Sequence, residues 1–302
     1  MRLRLAILCA GQGAQHAGMF DLARTVVGMG ARIDAWALPV DAEVFANRNA
    51  QPLVVGAACA IWQALQPRLP PPCIVAGYSV GEVAALAVAG VIAPDDAVAL
   101  ARTRALLMDA CVDASKPQGL AAISGLPRTV LIPLLAAFEP STKACIAIEN
   151  GEDQWIVGGL STALDALQKP VTAIGGRMQR LPVSVASHTP LMAPAIAPLQ
   201  KAVTAISLAS PTMRLLAGVS GTAAADASAA LQGLIAQTAG TVRWSACMDA
   251  IAESGATAAL ELGPGNGLTR MLSSRHPHIA CRAVDDFRSI DGLVGWITRQ
   301  GD

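Results

Sequence analysis

Apolar positions occur in short blocks separated by glycine- and proline-rich breaks. Residues 3–9 form an apolar run that enters the turn Gly11-Gln12-Gly13-Ala14-Gln15, and the run reads as a buried first strand. Across Pro52–Leu65 the apolar residues recur at helical spacing. The proline cluster Pro70–Pro72 then leads into a second buried strand, Cys73–Gly77. A small apolar helix over Val83–Gly90 and a longer one over Pro94–Cys111 follow. Strand then helix, repeated, predicts a parallel sheet covered by helices.

The middle of the chain changes rhythm. Leu120–Ser124, Ala144–Glu149 and Trp155–Gly159 read as short strands, with helices over Arg128–Ala137 and Ser161–Leu167. Gly175–Pro182 leads into a last strand at Val183-Ser184-Val185. This β-α-β-β-α-β order predicts a ferredoxin-like unit inserted into the larger domain. The expected division is 1–120 with 190–302 for the large α/β domain and 121–189 for the insert. The tail resumes the first style, with helices over Met192–Ile206, Ala224–Gln237 and Val242–Ser254, then a strand at Ala258–Leu262 entering Gly263-Pro264-Gly265.

Composition narrows the function. The 302 residues are 53% apolar and 15% charged, which excludes disorder. Lys+Arg and Asp+Glu both total 22, so no excess of positive charge exists to bind nucleic acid. The longest uncharged run, Asn49–Pro67, holds prolines and glutamines and does not read as a membrane span. Arg2 and Arg4 precede an apolar run too short for a signal sequence. Seven scattered cysteines, an odd number with no CxxC pair, read as core residues of a reducing cytoplasm.

Gly77-Tyr78-Ser79-Val80-Gly81 lies between a buried strand and an Ala-rich helix, the setting of a nucleophile elbow. The following helix aims its N-terminal N–H groups at the site, where they favour a developing oxyanion. A Ser hydroxyl needs a base. Of four histidines, His16 follows the first glycine turn, and His276 and His278 lie in a late polar segment without further metal ligands around them. His188, in Val185-Ala186-Ser187-His188-Thr189-Pro190, stands where the insert ends and can enter the groove between the units. The Gly11–Gln15 turn lacks the third glycine of a dinucleotide loop and the Lys of a P-loop. It suits a second oxyanion donor.

Taken together, the Gly11–Gln15 turn, Gly77–Glu82, the helix around Arg104, Ser187-His188 and Glu261–Gly265 resemble the malonyl-CoA:acyl-carrier-protein transacylases and the acyltransferase domains of polyketide and fatty-acid synthases. The order and spacing match across essentially the whole chain. The resemblance implies an α/β-hydrolase-like large domain with a parallel sheet and an inserted ferredoxin-like subdomain. It implies that Ser79 is the acylated nucleophile, His188 the general base, and Gln12 and Val80 the oxyanion-hole donors. Arg104 matches the arginine that pairs with a malonyl carboxylate, while Arg102 is expected to face solvent. No metal or other cofactor is implied; malonyl-CoA is the substrate and an acyl-carrier protein the partner.

Two departures from the family pattern stand out. Tyr78 replaces the usual His before the nucleophile, and Arg243 precedes Trp244 where the family often has Gln. In the family a backbone carbonyl at that Gln position orients the catalytic His; here the resemblance assigns it to Arg243, with a role toward the acyl donor also open. Asn150-Gly151 resembles the family's turn at the cleft edge, which implies a binding role for Asn150. The Ala10–His16 opening and the Gly77–Glu82 elbow are most similar to the malonate decarboxylase epsilon subunit, implying other decarboxylase subunits as partners. The alternatives are the fatty-acid-synthesis transacylase, a serine hydrolase or thioesterase using the same elbow, and a non-catalytic subunit.

Overall fold

The computed structural model describes residues 3–40, 43–137 and 144–301. Strand β1 (Leu5–Cys9) is buried at all five positions, because it runs inside a sheet flanked by helices on both faces. Helices α1 (Asp21–Arg24), α2 (Met29–Ala35) and α3 (Asn47–Leu65) lead to β2 (Ile74–Gly77). Next come α4 (Gly81–Val88) and α5 (Pro94–Asp109). Every residue of α4 is buried, and its alanines let it approach the sheet and neighbouring helices closely.

A second sheet is built by β3 (Gln118–Ser124), α6 (Arg128–Ala136), β4 (Cys145–Glu149), β5 (Gln154–Leu160), α7 (Ser161–Ala173) and β6 (Arg177–Arg180). Its strands lie in the order β4-β5-β3-β6 and all pair antiparallel. The chain returns through a 3-10 segment, Pro190–Ala195, to α8 (Ile196–Val203), β7 (Arg214–Ala217), β8 (Thr222–Ala223) and α9 (Ala227–Ala239). It ends with α10 (Trp244–Glu253), β9 (Ala258–Leu262), α11 (Gly267–Arg275), β10 (Ala280–Ala283) and α12 (Ile290–Arg299). The first sheet has the order β10-β9-β1-β2-β7-β8, parallel except for the last pair. The protein is thus a mixed α/β molecule with one largely parallel and one antiparallel sheet.

Three expectations change. The last strand of the second unit is Arg177–Arg180, not Val183–Val185. Leu181 still donates to Leu120, but Pro182 has no N–H and the ladder stops there. The expected boundary at 120/121 falls inside β3, whose pairing with β5 starts at Gln118. The expected helix from Met192 begins as the 3-10 turn at Pro190, where Pro190 and Pro194 cannot donate.

The segment between α9 and α10 pairs with the edge of the second sheet. Val242, just before α10, bridges Ile148 of β4, with Glu149 N–H donating to Val242 and Val242 N–H donating to Ala147.

Candidate active site

The elbow between β2 and α4 is fixed by two glycines. A Cβ on Gly77 would sit 2.2 Å from the Glu82 nitrogen, and one on Gly81 would sit 2.1 Å from the Cys9 carbonyl oxygen. Between them Ser79 has φ 56°, a left-handed conformation that costs a non-glycine residue about 1–3 kcal/mol. His188 is held the same way, at φ 63°, by its N–H donating 3.0 Å to Thr238 O. The loop ahead of it is clamped by Gln118, which accepts from Ala186 N–H at 3.0 Å and donates to Cys111 O at 3.1 Å.

These supports bring Ser79 Oγ and His188 Nε2 to 2.7 Å. His188 Nδ1 faces the Gln237 carbonyl at 2.5 Å. A carbonyl only accepts, so Nδ1 carries the proton and Nε2 is free to accept from the Ser79 hydroxyl. Burial and the nearby Arg104 cation push His188 down to about 3, partly offset by the Gln237 bond. The imidazole is therefore neutral at physiological pH and can act as a base. The carbonyl holding it belongs to Gln237, not to Arg243 as the resemblance implies. Arg243 is exposed, and its own N–H donates to Gly218 O at 2.7 Å.

The Gly11–Gln15 turn presses against the elbow, since a Cβ on Gly11 would lie 3.0 Å from Tyr78 O. Among the described residues no hydrogen bond uses the backbone N–H of Gln12 or Val80. Both remain available to an oxyanion.

Arg104, on α5, is 1% exposed. Its Nη1 donates to Gln51 Oε1 at 2.6 Å, while Nε and Nη2 are buried and have no partner among the described residues. Gln51 is fixed in turn by donating to Asn47 Oδ1 at 2.8 Å. Burial lowers Arg104 to about 10, still a cation. A buried guanidinium with two idle donors is suited to a carboxylate that arrives with the substrate. Arg102 departs from the expectation that it faces solvent: it is half-buried and donates to the carbonyls of Trp36 and Ala37.

Tyr78 OH donates to Asn150 Oδ1 at 3.1 Å, and its ring meets Trp244 edge-on at 5.3 Å. Asn150 therefore lies beside the elbow. The sequence reading gave no role to Gln237 or Glu82. Glu82 Oε2 accepts from Gly218 N–H at 2.9 Å and from Gln237 Nε2 at 3.2 Å; Gln237 Nε2 also reaches Ser79 O at 2.9 Å. Burial pushes Glu82 up to about 8. The sequence carries only a weak signal for Gln237, one of two glutamines in an Ala/Leu/Ile-rich helix.

Two clefts border these residues. One of about 510 Å³ has Gln12, Phe45, Asn47 and Val183–Val185 in its wall, and one of about 420 Å³ has His188, Arg128, Ile132 and Thr241. The other histidines lie elsewhere: His16 bonds Asp285 at 3.1 Å and His276 bonds Asp249 at 2.9 Å. Among the described residues no cluster of metal-ligating side chains occurs, and no helix is long and apolar enough to cross a membrane.

The acyl transferase domain profile matches residues 42–276. A malonyl CoA-acyl carrier protein transacylase of Mycobacterium tuberculosis is 34% identical over 96% of this chain and 99% of its own length. That of Salmonella typhimurium is 30% identical over 88% and 91%. Among solved structures, the enzyme from Mycobacterium tuberculosis superposes with a TM-score of 0.88 at 34% identity, covering 96% of this chain and 99% of its own. The malonyl CoA-acyl carrier protein transacylase from Coxiella burnetii gives 0.90 at 27% identity, covering 100% and 99%. With its elbow, its buried arginine and these relatives, the chain belongs to the acyl transferase domain family.

Proposed function

We propose that this protein moves a malonyl group from malonyl-CoA to the thiol of an acyl-carrier protein through a malonyl ester on Ser79. The observation that carries the reading is Arg104, a buried cation acting on His188 and left with two donors that have no partner among the described residues. An acyl group without a carboxylate leaves those donors unpaired, which disfavours it.

Ser79 Oγ attacks the thioester carbonyl as its proton passes to His188 Nε2, and the Gln12 and Val80 N–H groups stabilise the oxyanion. Collapse expels the CoA sulfur, which takes the proton from His188. The carrier thiol then gives its proton to His188, attacks the ester, and releases Ser79 by the same route reversed. No metal or redox group enters the scheme, and the site of action is the cytoplasm.

The relatives' names favour the fatty-acid-synthesis acceptor over the malonate decarboxylase acceptor, and we adopt the former. A decarboxylase role with its other subunits rests on motif likeness alone, including Tyr78. The hydrolase likeness resides in the elbow. A hydrolase of that kind expects a carboxylate on its His, whereas His188 Nδ1 meets a backbone carbonyl.

Radiolabelled malonyl-CoA tests the reading. Label held on Ser79 and passed to a carrier thiol supports transfer, whereas rapid release of free malonate refutes it. Unchanged transfer by Ser79→Ala refutes the nucleophile. Comparing an isolated fatty-acid-synthesis carrier with a malonate decarboxylase carrier separates the two acceptors.

A further inference from the structure

Glu82 is the buried acid beside the dyad that the mechanism above leaves idle. It lies on the first turn of α4, three residues after Ser79, and is 2% exposed. A carboxyl group in that setting needs hydrogen-bond partners, and both of its donors converge on one oxygen, Oε2. One donor is the Gly218 N–H after β7. The other is the side-chain amide of Gln237, a residue that is itself fully buried.

Gln237 touches the dyad with both of its ends. Its side-chain Nε2, held by Glu82, also donates to the backbone carbonyl of Ser79 at 2.9 Å. Its backbone carbonyl takes the proton of His188 Nδ1 at 2.5 Å. One residue thus sets the height of the nucleophile's backbone and the plane of the base's ring. Its side-chain orientation is fixed by the Glu82 oxygen. The left-handed backbones of Ser79 and His188 need such outside restraint, because neither conformation is favourable alone.

Resting on the acyl-transfer reading, we propose that Glu82 is a positioning residue for the Ser79–His188 pair, acting through Gln237 as an accepting oxygen and not as a charge. In this dyad the carboxyl group does not contact the imidazole. It is displaced by one amide and steadies both partners at once.

The test is single-turnover acylation by malonyl-CoA, followed by intact mass, in the full chain. Glu82→Ala is expected to lower the acylation rate at saturation by about tenfold to a hundredfold, the range for groups that orient a functional histidine. The half-saturating concentration stays within about twofold, since Arg104 and Gln51 are untouched. Glu82→Gln supplies an amide oxygen for both donors and keeps the rate within about threefold of the parent, a rescue that loss of packing alone does not explain. Gln237→Ala, which keeps the backbone carbonyl, repeats the Glu82→Ala loss and carries the test if that variant does not fold. The double variant is no slower than either single one, because the two act in series.

Full acylation by Glu82→Ala or Gln237→Ala overturns the proposal. So do additive losses in the double variant, or a Glu82→Gln rate as low as that of Glu82→Ala, which assigns the effect to charge. A parent protein that takes no label on Ser79 refutes acyl transfer itself, a separate result.

Discussion

Ser79 and His188 come within 2.7 Å of each other from segments 109 residues apart, each with its backbone in the left-handed region. The first is lifted by a turn whose flanking positions have no room for a side chain. Gly81→Ala forces a Cβ to within 2.1 Å of Cys9 O in the centre of the sheet, so β1 or α4 must move. A loss of about 3 kcal/mol is expected, read as a clear fall in the denaturation midpoint together with loss of Ser79 acylation. A variant as stable as the parent refutes the close packing of α4 on β1.

The unpartnered donors of Arg104 give the selectivity its expected form. Arg104→Ala removes about 3 kcal/mol of carboxylate binding, so malonyl loading falls roughly a hundredfold. Acetyl loading holds or rises, because a methyl group has no use for the guanidinium. Arg104→Lys recovers little, since a single ammonium cannot replace a planar fork anchored at Nη1 by Gln51. Equal falls for malonyl and acetyl groups place the carboxylate site elsewhere.

Tyr78 supplies a smaller, separable effect. Tyr78→Phe removes the hydrogen bond to Asn150 Oδ1 while keeping the ring against Trp244. The expected cost is about 1 kcal/mol, or roughly 1–2 °C in melting temperature for a chain of 302 residues. Calorimetry of the two proteins at one pH measures it, and an unchanged midpoint shows that the bond adds nothing in solution.

The sequence made the nucleophile legible because its constraint is local. Gly77 and Gly81 stand two residues either side of Ser79, and steric exclusion of a Cβ leaves that trace in any chain. Ser187-His188 was legible for the same reason, as a motif at a junction. The carbonyl that holds His188 was not. The motif anchored it to Arg243 beside Trp244, but a backbone carbonyl has no residue type, and only the last turn of α9 brings Gln237 O to the ring. The edge strand β6 was missed because an edge strand with one face in water need not be apolar. Arg177–Arg180 is largely exposed, whereas the apolar Val183–Val185 lines a cleft.

His188 sets the acid side of the rate profile. Burial and Arg104 hold it near 3, well below the ordinary 6.5, so the base remains neutral as the pH drops through that ordinary value. Acylation at saturating malonyl-CoA is expected to stay level from about pH 7.5 to pH 5, with no half-loss near 6.5. A midpoint between pH 6 and 7 means that the imidazole is solvated and the dyad open. The same depression acts on stability. Between about 3 and 6.5 the unfolded chain binds a proton that the folded chain refuses, so His188 lowers stability as the pH falls through that window.

Glu82 acts on stability from the other side. Its ordinary value is 4.5 and its value in the folded chain is about 8, because burial outweighs the Gly218, Arg104 and Gln237 interactions that favour the anion. Between these two values the folded state keeps the proton and the unfolded state releases it, so the carboxyl group's contribution falls as pH rises through the window. An amide in its place keeps the accepting oxygen and cannot ionise. Glu82→Gln is therefore expected to melt close to the parent at pH 5 and to gain on it by several degrees by pH 9. Melting curves of the two proteins across that range measure the difference. A gap that stays flat or closes with rising pH means that the carboxylate is comfortable as an anion beside Arg104, and that the protein holds an ion pair there in place of a neutral acid.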